Sequence, residues 1–550
     1  MTDFNKYGVS RLQSIIFAFS LGLALSLLVG CGEFEAQQTQ SLDGATVTGN
    51  GSELGSPLGP GQPLTPEVGA PEVPPASPPP QPSAAEKKTA ALEAEWAKAK
   101  PEMKEYINAW GSKAYTLYNA QIYIASFVQE AVTRNRHDWL LDLMEVYMTA
   151  QPKLTRVNKY LYYFPNTPSA SPRQGERSLG RTMSLWLDPP TSGFTVGQES
   201  FLVSTQFLYP VTLLIAAAAR DPKLASDTRA KNFVNAFLSV ALHDHYRRWI
   251  FNRDAPMGVF QVQGWGCNSG HFSHAQRVAH LYSRRFGTSY FSPYRNLGYC
   301  NSLWDVDLWI IAGVTHLLYA RELRPDWFSS LSASEANALR THVANGVELF
   351  ASRLSVGTRK NRQGQNREVV YYEIGGMRGH PDYAYSGDTN PSFPGWTRQG
   401  SPAQRPPKED PNASNDLSHS RRVVRFLFSL DKFGIPLGIV NPAWLIRVHQ
   451  GMANQLAYGV FNGSFSNPLF TNFLNGTNGW YRVNYSNREN FGYEPWSWSQ
   501  GRSTLTGGYY SWSRYNADLV PIAIAAAKKE TYPSVFDRLQ IYSALPSDFW

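Results

Sequence analysis

The sequence predicts a predominantly α-helical protein, and three observations carry that reading. Apolar residues recur at helical spacing through most of the chain after residue 85. Only Val369-Val370-Tyr371-Tyr372 reads as a strand, inside a long polar stretch. Third, Ser-His-x-x-Arg-Val occurs twice, at Ser273–Val278 and Ser418–Val423, each time where a Gly- or Pro-rich loop gives way to an apolar run. A serine before such a run is a good N-cap, because its hydroxyl accepts an orphan backbone N–H of the first turn. His419 and Arg422 then lie three apart on one helical face, at the positive end of the helix dipole.

In chain order, Glu86–Lys98 is a charged amphipathic helix. Pro101 sits at the first position of a further run from Glu102 to Phe127, with a break expected at Gly111. Trp139–Met148 returns, and 161–198 reads as polar and irregular. Glu199–Ala219 is strongly apolar and pairs with Ala225–Ile250. After a loop at 251–272 come Ser273–Phe286, Asp305–Leu323 and Ser334–Leu354. The longest irregular segment, 355–417, precedes the Ser418 helix, followed by Asn441–Tyr458, an aromatic segment at 459–515, Asp518–Lys529 and Val535–Ala544.

The first 31 residues read as a targeting segment: Lys6 and Arg11, then an uncharged apolar run from Ile15 to Val29, then Leu28-Val29-Gly30-Cys31. The four-residue ending resembles the bacterial lipobox. That resemblance implies acyl chains on Cys31, a membrane anchor of the palmitate-bearing kind, and the cell envelope as location. Gly32 in place of Asp after the cysteine points to the outer rather than the inner membrane. Residues 32–84 are rich in Pro, Gly, Ser and Gln, too poor in apolar surface to offset ordering entropy, and read as a tether. Residues 85–550 form the folded domain.

The whole chain carries a formal charge of +8. Lys6 and Arg11 are its only basic side chains before residue 85, against Asp3, Glu33, Glu35, Asp43, Glu53, Glu67 and Glu72, so the domain carries a formal +13. Such a surplus favours anionic partners. For an exported protein these are acidic polysaccharide, other cell-envelope glycan or lipid headgroups rather than nucleic acid. Cys267 and Cys300 are the two remaining cysteines, and an oxidising compartment favours their pairing. The sequence does not fix an oligomeric state.

No phosphate-binding loop, dinucleotide fingerprint, serine elbow or His-Glu-x-x-His motif occurs, and no cofactor or metal is expected. The candidate chemistry lies in three loops. Asn268, His271 and Arg277 belong to the first copy of the repeated junction; Tyr372, Arg378, Tyr385, His419 and Arg422 belong to or follow the second loop. Trp480, Tyr481, Trp496 and Trp498 stand in the aromatic segment, where flat faces beside amide and guanidinium donors suit pyranose rings.

Helical hairpins without a regular repeat period resemble the α/α toroid, here with about five to six hairpins, long rim loops and minor β. With that content of Asn, His, Tyr and Arg, the domain resembles the alginate- and chondroitin-lyase type of toroid polysaccharide lyase. The resemblance implies β-elimination on a uronate. The residue types themselves suit that reaction, with Asn and Arg to hold the carboxylate, His419 or His271 as base and a tyrosine of 371–385, Tyr372 or Tyr385, as acid. A glycoside hydrolase on the same fold, using two carboxylates across a cleft, and a non-catalytic glycan- or protein-binding lipoprotein are the alternatives.

Overall fold

The computed structural model describes residues 82–111, 116–164, 173–187, 199, 201–251, 274–283, 285, 302–374, 381–394, 405–483, 492–531 and 534–546. The targeting segment, nearly all of the tether, and Cys31, Cys267, Asn268, His271, Cys300 and Arg378 lie outside them. A compact unit spans Lys88–Trp550; the preceding unit ends at Lys87.

Fifteen α-helices run through the described residues: α1 (Ala84–Asn108), α2 (Thr116–Arg134), α3 (His137–Met148), α4 (Phe201–Arg220), α5 (Pro222–Ser226), α6 (Thr228–Ser239), α7 (Arg247–Phe251), α8 (His274–Ser283), α9 (Asp305–Leu323), α10 (Ala333–Ala351), α11 (Leu417–Ser429), α12 (Pro442–Gln455), α13 (Trp498–Thr506), α14 (Leu519–Lys529) and α15 (Val535–Ala544). Two antiparallel hairpins accompany them, β1 (Thr155–Phe164) with β2 (Arg173–Leu185), and β3 (Leu354–Lys360) with β4 (Asn366–Tyr372). The β4 strand was legible in the sequence. The β1–β2 hairpin was not: its Arg-, Gly- and Ser-rich second strand lacks the apolar alternation by which a strand is recognised. Pro101 also departs from expectation. It lies inside the continuous helix α1 instead of opening a new one; the break expected at Gly111 is there, with α1 ending at Asn108 and Gly111 at a φ of +104°.

Six helices pack each on the next in closed succession: α2 on α4, α4 on α9, α9 on α11, α11 on α13, α13 on α15, and α15 back on α2. Paired contacts show that they run the same way. Gln206 donates to the Tyr118 carbonyl near one end of the α2–α4 interface, and Arg220 to the Val132 carbonyl near the other. Arg422 faces Asp305 at the start of α9, whereas Ser429 meets His316 further along. Tyr123 stacks on Phe536 and the Ser126 N–H donates to Gln540, closing α2 on α15. Tyr209 packs on Trp309 and Thr212 meets His316 between α4 and α9. Arg502 pairs with Asp537 and Gln540 donates to the Thr506 carbonyl between α13 and α15, so all six N-termini share one end.

Close packing explains why these helices approach as they do. Helix α4 is long and apolar enough to cross a membrane, but 94% of that window is buried inside the protein as a core helix. The outer helix α10 runs antiparallel to α9, and its Gly346 faces Ile311 so closely that a Cβ would stand 2.5 Å from the Cδ1 methyl. Likewise Gly451 of α12 abuts Val370 of β4, where a Cβ would meet Cγ2 at 2.3 Å.

Candidate functional site

The shared N-terminal end of the six helices gathers the residues with the most chemical potential. Helix α11 opens at Asp416, which caps it: one carboxylate oxygen accepts the Ser418 N–H at 3.0 Å and the His419 N–H at 3.2 Å. Ser418, the expected cap, sits inside the helix, because a carboxylate two residues earlier is the stronger acceptor for the same orphan N–H groups. The other oxygen, Oδ2, lies 2.7 Å from His419 Nδ1. A carboxylate can only accept there, so the geometry assigns the proton to Nδ1 and leaves Nε2 as the acceptor nitrogen of the neutral ring.

Asp416 is buried. Burial works against its charge, but the adjacent His419, Arg482 and the Ser418 hydroxyl outweigh that and hold its carboxyl well below the usual range. The imidazole keeps 18% of its side-chain surface exposed, and Nε2 has no hydrogen-bond partner among the described residues. A buried acid fixing one nitrogen while the other stays open is the arrangement of a positioned general base.

The walls come from other elements. Tyr481 places its hydroxyl 3.4 Å from His419 Nδ1. Burial pushes that phenol well above its ordinary value, with Arg482 opposing, so it stays neutral. Trp304, immediately before α9, lies with its ring centroid 6.3 Å from the imidazole. Arg422, one turn beyond His419, donates from Nη2 to the Tyr118 hydroxyl of α2 at 2.7 Å, and its Nε lies 3.6 Å from Asp305 Oδ2. From α13, Gln500 accepts the Ser418 N–H at 3.1 Å.

The two repeated junctions meet around one helix start. Arg277 of the first copy faces Asp307 at 3.2 Å, and His274 lies 3.0 Å from the same carboxylate; Arg422 of the second faces Asp305, two residues earlier. Their environments differ. His274, Arg277, Asp307 and His342 are all buried, with His274 Nδ1 bonded to His342 Nε2 at 2.8 Å, and this cluster ties α8 to α9 and α10. Only the second copy exposes its histidine.

The remaining candidates divide clearly. Tyr372 and Tyr385 do not join the site. Both are buried and donate to backbone carbonyls, Tyr372 to Leu303 at 2.9 Å and Tyr385 to Arg405 at 3.2 Å. Arg277 is likewise enclosed. Trp480 is buried, with its indole N–H on the Asn390 carbonyl at 2.7 Å. Trp498 is half-buried under the Lys529 ammonium, 4.9 Å from the ring centroid. Trp496 is exposed, 38% accessible, and holds φ at +61°. A bulky residue in the left-handed region is strained; here the Asn478 side chain accepts its N–H at 2.8 Å.

The sequence offers Asp416 as one of several carboxylates near the second junction and gives no sign of Trp304, Tyr118 or Gln500. The i, i+3 spacing of Asp416 and His419 is a signal that was available. Tyr118 lies 304 residues from Arg422 in the chain, and no local pattern reports such a contact. Among the described residues no cluster of three His, Cys, Asp or Glu is arranged to hold a metal ion.

Comparison with protein-family models, with curated proteins and with solved structures finds no match to this chain.

Proposed function

We propose that the protein is an exported, lipid-anchored enzyme of the bacterial cell envelope whose domain is an α/α toroid cleaving an acidic, uronate-containing polysaccharide by β-elimination. The toroid reading is supported by six same-direction helices in closed succession with outer helices packed on them. The lipobox at Cys31 and the basic balance of the domain support the location and the acidic substrate.

The observation that carries the chemistry is the Asp416–His419 pair with Nε2 open. In the proposed step Nε2 takes the C5 proton. The C–H electron pair becomes the C4–C5 double bond, the C4–O bond breaks, and the leaving oxygen takes a proton from the Tyr118 hydroxyl held by Arg422. Tyr118 takes the role that sequence reading gave to Tyr372 or Tyr385, whose hydroxyls are committed to carbonyls. Convergent helix N-termini favour the charge that develops on the uronate carboxylate. The exposed Trp496 supplies a face for a neighbouring ring.

The test is incubation of the full chain with polyuronates, followed by ultraviolet absorbance of the unsaturated product. Elimination predicts absorbance that His419→Ala abolishes. New reducing ends without it would establish hydrolysis instead, and glycan binding without cleavage, unchanged in His419→Ala, would establish a binding protein.

A further inference from the structure

A second feature at the same end of the fold has no part in the chemistry above. The tip of the β3–β4 hairpin, residues 358–367, contains Arg359, Lys360, Arg362 and Arg367 and no acidic residue; all four are exposed. None forms an ion pair with a described acid. The one acid that follows, Glu368, is already held by Arg447 through two bonds of 2.7 and 2.6 Å. In the strand register Arg359 stands directly opposite Arg367. Like charges facing across a ladder oppose pairing, so the arrangement is not explained by stability.

The tip is also tied by its own hydrogen bonds. The Asn361 side chain accepts the Gln363 N–H at 3.1 Å and the Gln365 N–H at 2.9 Å, and Gly364 provides the positive φ of +77° that the turn requires. Arg362 lies over Phe465, 4.0 Å from the ring centroid, which directs that cation and covers an aromatic that is 39% exposed. Its place in the fold links it to the dyad. Arg359 Nη2 lies 3.6 Å from where a Cβ on Gly476 would stand. Gly476 belongs to the turn whose Phe473 pairs with Asp416 and whose Leu474 N–H donates to the Asn415 carbonyl at 3.0 Å.

We propose that the β3–β4 tip is a separate docking site for a polyanionic glycan chain, holding carboxylate-bearing sugars remote from the bond at His419 through Arg359, Lys360, Arg362 and Arg367. It rests on the reading above for the class of polyanion and is independent of cleavage. A glycan is favoured over an anionic lipid surface because Phe465, the aromatic wedge such a surface would take, lies under Arg362, and because the tip adjoins the turn paired with Asp416.

Polygalacturonate and alginate are the probes, with binding of the full chain measured at low and raised salt. Replacing all four cations by glutamine is expected to weaken binding at least tenfold and to flatten its salt dependence. Binding is read apart from product absorbance, so an absence of elimination leaves this result readable. Lys360→Gln alone, at an exposed position, gives a smaller loss in the same direction should the fourfold variant not fold. Equal affinity of the wild type and the charge variants would overturn the proposal. So would wild-type binding to anionic phospholipid vesicles but to neither polyuronate, or no low-salt binding to either probe.

Discussion

At the scale of single residues, Asp416 performs two tasks that can be separated. It caps α11 and orients His419. Asparagine is as good a cap but carries no charge, so Asp416→Asn should keep α11 capped, lower the melting temperature by the lost interactions of the carboxylate with His419, Arg482 and Ser418, and lower turnover of the proposed reaction about a hundredfold or more. Turnover and melting measured on one preparation check both halves. Trp496 offers the opposite separation. Its left-handed backbone costs about 1 kcal/mol or more in a non-glycine residue, so Trp496→Gly should melt no lower than the wild type, while glycan affinity falls with the loss of the exposed ring. The sequence made His419 and Arg422 visible because their spacing is local. It assigned Tyr372 and Tyr385 to the chemistry on residue type alone, and type does not say that a hydroxyl is already spent on a carbonyl.

Contacts between elements give predictions of a different kind. Gly451→Ala would press a methyl into Val370, including its backbone N at 3.0 Å, and should cost about 1–3 kcal/mol by parting α12 from β4; denaturant unfolding reads the loss. The buried acid and histidine between helices set the response to pH. Burial opposes charge on Asp307, but Arg277 and His274 outweigh it and bring its carboxyl down to about 2, against roughly 3.9 when unfolded. Its contribution is therefore complete above pH ~4 and is lost as pH falls towards about 2. His316, bonded to Thr212 and Ser429, is lowered to about 3 by burial. An unfolded histidine takes its proton near pH 6.5, so stability begins to fall there, before the contribution of Asp307 is lost. Acid titration of stability should show the earlier phase reduced in His316→Gln, with buried His245, His342 and His449 carrying the remainder, and the later one reduced in Asp307→Asn. Helical elements were legible because their apolar stripes are periodic, and β4 because it is β-branched and aromatic. The β1–β2 hairpin and the run through Pro101 were not, since backbone pairing and neighbouring packing decide them against local propensity.

In the whole molecule an odd number of helices separates the two Ser-His-x-x-Arg junctions, and simple up-and-down alternation would put them at opposite ends. They share one. Helices α8, α9 and α10 lie between the junctions, and the starts of α8, α9 and α11 come together at Asp305 and Asp307. Simple up-and-down alternation is therefore not followed at α8, a result of long-range packing that no count of hydrophobic runs contains. Closure on α15 is equally non-local. Gln540 reaches Ser126, Ile122 and Thr506 on two other helices, and Gln540→Ala should lower stability by about 1–3 kcal/mol by leaving buried backbone groups unpartnered; thermal melting checks it. At the same seam Lys88, near the start of the compact unit, donates to the carbonyls of Ser543 at 3.2 Å and Leu545 at 2.8 Å, near its end. The order in which the helices are synthesised is thus separable from the order in which they pack. A circular permutant joining the two ends by a short linker and opened at the exposed Gln363–Gly364 turn would keep every helix interface described above. Its ends would then lie within the basic tip, turning the proposed site for a chain of sugars into the point at which the polypeptide itself begins and stops.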